Sequence, residues 1–263
     1  MNLEERTALI TGATGGLGHA IARALAARGT KLLLTGRRAD VLEPLARELG
    51  ARALSADLAV RSDLDRLIEG AGAIDVLVAN AALPATGRVT DYSVEKIDRV
   101  LDVNLRAPIV LARAFIAGML TRGIGHVVFI NSLSGKVSAP QSAMYSASKY
   151  GLRGFAQSLR QDLHGTGVGV SSIFPGFIRD AGMFADSGAK LPPGVGTRAP
   201  ADVAAAVVRA IENDEAEIDV APVGLRLGAA IAGISPGLSA SIQRWVGAEK
   251  IAERVSRGQS GKT

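Results

Sequence analysis

Cysteine is absent from this 263-residue chain, which excludes disulfides, thiol nucleophiles and thiolate-ligated zinc. Histidine is scarce: His19, His126 and His164 lie far apart, without metal-ligand spacing, and read as surface residues, so no metal site is expected. Aromatic residues make up only 4%, and no basic cluster interleaves with them, so a nucleic-acid surface is not expected. No uninterrupted apolar stretch approaches the roughly 18 residues of a membrane span. The opening residues, MNLEERTALITG, place acids ahead of any apolar run, unlike a secretory signal. A cytoplasmic protein is the expectation. No repeat, low-complexity tract or long linker divides the chain.

Apolar content is ample. At 48% hydrophobic the chain can bury a large core. The net charge of +5 is spread along it as ordinary solubility charge, although a basic protein favours anionic ligands. Short apolar runs at 7–10, 31–35, 51–55, 74–78, 126–130, 168–174 and 216–220 read as strands. Helical patterns follow at 17–28, 39–49, 62–69, 93–120 and 201–212, with Pro44 interrupting the second and a bend expected at Pro108. Strand and helix alternating in this way predict an α/β fold: a doubly wound, Rossmann-like parallel sheet with its site along the strand carboxyl ends. One catalytic domain is expected over residues 1–222, with a lid near 181–199 and a helical extension over 223–263 packing on it.

Two stretches carry chemistry. Between the first strand and first helix lies Thr11-Gly12-Ala13-Thr14-Gly15-Gly16-Leu17-Gly18, whose glycines permit a tight turn and let backbone amides approach a pyrophosphate at a helix amino end. Downstream, 131–163 begins with Asn131, Ser132 and Ser134 after a strand and continues into a helix carrying Tyr145 and Lys149, four apart and so on one face. An ammonium beside a phenol lowers its pKa, and a helix amino end capped by Ser142 would do the same. A tuned phenol facing a serine hydroxyl suits acid–base chemistry on a carbonyl or alcohol. No G-x-S-x-G elbow surrounds either serine, which disfavours a serine hydrolase.

Together these residues resemble the short-chain dehydrogenases/reductases over about 7–220. The glycine loop reads T-G-x-x-x-G-x-G, and Asp57, Asn80 in Ala79-Asn80-Ala81-Ala82, Asn104, Ser132, the Tyr145-x-x-x-Lys149 motif and Pro175-Gly176 all stand at the family's separations. The resemblance implies an oxidoreductase in which Tyr145 is general acid or base, Lys149 lowers the tyrosine pKa and holds the nicotinamide ribose, Ser132 bonds the substrate oxygen, and Asn104 holds a water that links Lys149 to solvent. Cofactor contacts are implied at Gly12, Thr14, Gly15, Gly16, Leu17, Gly18, Asp57, Leu58, Asn80, Tyr145, Lys149, Pro175, Gly176 and Ile178, with Asp57 at the adenine. Ser134 is read as a loop-capping hydroxyl. The chain departs from the family pattern at Ala79 and Ala82, and at Asp180, which stands where a threonine commonly bonds the nicotinamide.

Cofactor choice turns on the end of the second strand, where Gly36 takes the usual acidic place and Arg37 and Arg38 follow. Guanidinium forks suit a 2′-phosphate, so NADP is expected over NAD, although Gly15 lacks the second basic residue of many NADP-using relatives. The substrate is expected to be an apolar carbonyl or alcohol, met by the loop 83–90 and the lid, whose Met183, Phe184 and Leu191 form either a pocket wall or a docking surface. The tail joins apolar VGLRLGAAIAGI to a run bearing Arg244, Trp245, Lys250, Arg254 and Arg257. It reads as packing over the pocket or against a subunit partner, with contact to an anionic membrane as the minor alternative. Relatives imply a homodimer or homotetramer. A non-catalytic dinucleotide sensor and a sugar-nucleotide epimerase are the competing functional readings.

Overall fold

The computed structural model describes residues 1–191 and 195–235 and, beyond them, 237, 252, 253, 255, 256 and 258. Seven strands, β1 (Thr7–Ile10), β2 (Lys31–Gly36), β3 (Arg52–Ser55), β4 (Val76–Ala79), β5 (Gly125–Ile130), β6 (Val168–Pro175) and β7 (Glu217–Val220), form one sheet. The order is β3-β2-β1-β4-β5-β6-β7, and every pairing is parallel. Parallel strands need crossovers, so helices cover both faces and the strands must be apolar on both sides. In β1, Ala8 and Ile10 join one core while Leu9 joins the other.

The first core lies under α1 (Gly16–Ala26), α2 (Ala39–Glu48) and α8 (Pro200–Asn213), through Ile21, Leu25, Leu42, Leu45, Val203, Val207 and Ile211. The second lies under α3 (Arg61–Ala71), α5 (Ala107–Arg122) and α6 (Ala143–Asp162), through Leu64, Leu67, Leu111, Phe115 and Leu152. α2 runs unbroken through Pro44. That proline removes one intrahelical bond, and burial of Leu42, Leu45 and Ala46 compensates.

The bend expected at Pro108 lies upstream of it. After α4 (Val94–Leu101) the chain makes a π-turn over Asp102–Arg106 before α5 begins. Pro108 has no N–H to give the carbonyl four residues back, which is that of Asn104, so the irregularity centres on that asparagine. The stretch Val94–Arg122 is apolar and long enough to cross a membrane by composition, but half of its most apolar window is buried in the domain.

Two further helices flank the cleft described below. α7 (Gly182–Ser187) follows β6, and α9 (Val223–Ile234) follows β7. α9 is seated on a third, small core of Leu133, Phe174, Ala221 and Ala229, with Leu225 and Val137 against it.

Candidate active site

The strand order reverses between β1 and β4, and a crevice opens at that switch point on the carboxyl side of the sheet. Thr11, just past β1, locks the two strand ends together: its Oγ1 accepts the N–H groups of Asn80 and Ala81, each at 3.0 Å. Asn80 returns the contact by donating Nδ2 to the carbonyls of Thr11 (2.9 Å) and Gly12 (3.2 Å). The glycines are required by close approach. Gly12 has φ +63°, and a Cβ there would come within 2.7 Å of the Ala81 Cα. At Gly18 it would meet the Gly12 carbonyl oxygen at 2.4 Å, and at Gly16 the Ala181 Cβ at 2.3 Å. α1 starts at Gly16 with no side-chain cap and no acid in its first turn. Its orphan N–H groups form a cradle for an anion, which is the fit a dinucleotide pyrophosphate requires.

At the end of β2 the space for an acidic side chain is filled. A Cβ on Gly36 would lie 2.7 Å from the Thr14 Cγ2, so Thr14 occupies that volume. Arg37 and Arg38 are exposed at the rim, with Arg38 donating to the Thr14 carbonyl. Gly15 is exposed, and a Cβ there would meet only the Gly12 oxygen at an ordinary 3.5 Å, so the position has room for a side chain. Asp57 is bonded by Arg99 at 2.8 Å and by the Ala59 N–H at 3.0 Å. Burial pushes its carboxyl upward, but those two donors outweigh it and hold it below the usual carboxylate range.

At the other end, β5 delivers Asn131 and Ser132, and α6 delivers Tyr145 and Lys149. Asn131 Oδ1 accepts the Ser132 N–H at 3.0 Å, and the Ser132 hydroxyl accepts the Ser134 N–H at 3.1 Å. The hydroxyl that caps this loop is therefore Ser132's rather than Ser134's, because a 3-10 turn over Leu133–Gly135 aims the Ser134 amide at it. Ser142 does precede α6, but its hydroxyl bonds the Pro140 carbonyl instead of capping the helix.

The Tyr145 phenol is hydrogen-bonded to Ser132, yet burial prevails and pushes it up to about 12. Lys149, expected from the sequence to lower it, does not offset that burial. Its ammonium sits 5.7 Å from the tyrosine ring centre, donates to the Ile130 carbonyl at 2.9 Å, and is itself pulled down to about 8 by burial. In the free cleft the phenol is thus held as an acid.

Asn104 is fully buried behind the cleft. Its Oδ1 accepts the Leu83 N–H at 2.7 Å and its Nδ2 donates to the Leu83 carbonyl at 2.9 Å, pinning the loop after β4. The same Nδ2 reaches the Ser148 hydroxyl at 3.5 Å, which bonds the Tyr145 carbonyl at 2.8 Å. The side chain thus braces the tyrosine's turn.

One cleft of about 1160 Å³ is lined by every cofactor and catalytic residue expected from the sequence except Asn104. Its volume exceeds the roughly 1,000 Å³ at the upper end of ordinary ligand pockets. Asp180 lies outside it. That residue adopts φ +68°, is exposed and pairs with Arg179 at 3.3 Å, because a parallel bridge from Ile178 to Arg198 turns the chain outward. Ile178 stays buried in the lining.

The substrate end is apolar. Met183 and Phe184 line it, and Phe184 stacks at a tilt on Phe177 with ring centres 4.9 Å apart. Leu191 is not among the lining residues. Sequence reasoning missed Asn131, Leu83 and Ser148 as braces, whereas the apolar stretch 223–234, read as packing over the pocket or against a subunit partner, supplies a wall through Gly224, Leu225, Gly228, Ala229 and Ile231. Ala252 and Val255 also line the cleft, and Ser256 lies beside Gly87, so the tail returns over the pocket. Arg244, Trp245, Lys250, Arg254 and Arg257, read as a basic run, lie outside the described residues. Among the described residues no metal-binding group of side chains occurs. His126 is no surface residue: it is buried, bonded to the Ser171 hydroxyl at 2.8 Å, and pulled down to about 4 chiefly by burial.

Comparison with known proteins agrees with this geometry. The chain is 36% identical to the ketoacyl reductase HetN of Nostoc sp. (strain PCC 7120) over 259 residues, covering 93% of this chain and 90% of that protein. It is 34% identical to an uncharacterized oxidoreductase of Staphylococcus epidermidis over 182 residues, 67% of this chain and 79% of the relative. Among solved structures, a short-chain dehydrogenase from Sphingobium yanoikuyae in complex with NADPH superposes with a TM-score of 0.77 at 27% identity, covering 89% of this chain and 95% of that one. A short chain dehydrogenase/reductase family protein gives 0.77 at 31%, covering 83% and 97%. The short chain dehydrogenase family model matches residues 6–191, and the chain belongs to that family of oxidoreductases.

Proposed function

We propose that the protein is an NADP(H)-dependent ketoreductase acting on a neutral carbonyl compound or the corresponding alcohol. The observation that carries this reading is the convergence of Ser132, Tyr145 and Lys149 at the apolar end of the cleft whose other end holds the glycine loop and Arg37 and Arg38. The nicotinamide cofactor supplies or accepts the hydride. Tyr145, held protonated, gives its proton to the carbonyl oxygen, and in the reverse direction its phenolate takes the alcohol proton. Ser132 donates a hydrogen bond to that oxygen as negative charge develops on it. Lys149 holds the ribose hydroxyls and favours the phenolate once Tyr145 has given up its proton.

Asn104 acts through main chain and side chain. Its amide braces Tyr145, and its carbonyl, to which Pro108 offers no N–H, seats the water that returns a proton by way of Lys149. Arg37 and Arg38 grip the 2′-phosphate, while Thr14 excludes the acid that would prefer a 2′-hydroxyl. The NADPH-bound neighbour supports the same cofactor, and the ketoacyl reductase relative supports reduction of a ketone.

The test is a panel of neutral ketones assayed with NADPH and NADH in parallel. NADPH-driven reduction at least about tenfold more efficient than NADH-driven reduction is expected. NADH preference would overturn the cofactor assignment, and binding of NADPH without turnover of any carbonyl would favour the sensor.

A further inference from the structure

The substrate half of the cleft has an unusual wall. α9 is seated by Leu225, Ala229 and Ala232, and the next face of the helix turns Gly224 and Gly228, one turn apart, into the cleft. A Cβ built on either glycine meets nothing within 4 Å. These glycines are therefore not required by backbone packing, unlike Gly12, Gly16 and Gly18. Nor do they help the helix, since glycine costs about 1 kcal/mol against alanine in a helix interior. What they do is leave the wall flat where any side chain would narrow the cleft.

The remaining lining of this half includes apolar Leu133, Val137, Phe177, Met183, Phe184 and Val195, with Ala252 and Val255 from the tail, and the hydroxyls of Thr86, Ser138 and Ser142. Its charged lining side chains, among the described residues, are Lys149 at the catalytic end and the acidic Asp186. Among the described residues no second cation lines this half, so a free carboxylate or phosphate at the far end of the substrate has no ion-pair partner among them. From Gly224 to Ile231 the wall runs about 10 Å along the helix axis.

We infer that Gly224 and Gly228 set the substrate class: an uncharged ketone with an extended hydrocarbon body that lies along the glycine face of α9 while its carbonyl meets Ser132 and Tyr145. This rests on the ketoreductase reading and adds to it a length and a charge. Each methylene that reaches the wall raises kcat/KM roughly fourfold until the wall is covered. Gly228 is the specificity-determining position.

The experiment measures kcat/KM with NADPH for methyl ketones from butanone to decan-2-one, and for 9-oxodecanoate, whose carboxylate lies at the far end of the same chain, in the wild type, Gly228→Leu and Gly233→Leu. Gly233 is on the same helix, is equally open to a Cβ, and lies outside the lining, so it controls for changes in the helix itself. Leucine is the better helix former, so neither variant is expected to unfold, and circular dichroism checks this.

In the wild type, efficiency should climb with length and 9-oxodecanoate should fall at least about tenfold behind decan-2-one. Gly228→Leu should collapse the decanone-to-butanone ratio by at least about tenfold, and Gly233→Leu should leave it as in the wild type. A ratio unchanged by Gly228→Leu, an equal loss at every length, or a wild type indifferent to length would each overturn the inference. If the wild type reduces no ketone with either cofactor, the ketoreductase reading fails and this inference with it.

Discussion

The two halves of the cleft are built on opposite plans. The nucleotide half is made of main chain: glycines at contact distance, an uncapped helix start, and strand ends tied by Thr11 and Asn80. The substrate half is made of side chains from elements far apart in sequence, with α9 and the tail added after the last strand. A backbone cradle tolerates almost no substitution, whereas an apolar wall can be reshaped one residue at a time.

That contrast can be broken from the nucleotide side. Gly18→Val would drive side-chain atoms into the Gly12 carbonyl and the Ala13 backbone, and NADPH affinity should fall at least about 100-fold in a protein that still gives a helical circular dichroism spectrum. Near-normal affinity measured by fluorescence titration would mean that the cradle is not where the pyrophosphate lies. Removing both rim guanidiniums, Arg37→Ala with Arg38→Ala, should cost NADPH about 10- to 100-fold and NADH little. Equal losses for both cofactors would remove these arginines from any role in discrimination.

The chemistry between the halves carries a pH signature. Tyr145 stays protonated up to about 12 in the free cleft, so reduction should not lose its acid below that pH. Lys149 titrates near 8, and kcat/KM for reduction should decline above that pH by up to about tenfold per unit as the ammonium is lost. A profile flat to pH 10 would show that this charge is not needed. The smallest effect is a gain: Gly15→Arg places a further cation in open space beside the loop and should tighten NADPH a few-fold with NADH unchanged. No change would place Gly15 away from the 2′-phosphate.

The same division marks what could be read in the sequence. All seven strands and the doubly wound order follow from alternating apolar runs, and the glycine loop is legible because only glycine fits where backbone meets backbone. Helical spacing puts Tyr145 and Lys149 on one face, but their role is legible only through the resemblance to the short-chain dehydrogenases/reductases. Burial is not written in spacing, which is why the upward shift of Tyr145, the downward shift of Lys149 and the buried His126 emerge only in three dimensions. The place of Asp180 after Pro175-Gly176 says nothing of its left-handed backbone or its exposure to solvent. Asn104 is singled out by the family resemblance, but its bonds to Leu83 span 21 residues and belong to the tertiary structure.

The account stands on Tyr145 as the proton donor in a cleft that holds NADPH independently of it. The direct measurement is single-turnover oxidation of NADPH by octan-2-one in Tyr145→Phe, alongside NADPH affinity. The account predicts a rate at least about 1,000-fold below the wild type with affinity changed by no more than about threefold. A rate within tenfold of the wild type, with cofactor still bound, would contradict it.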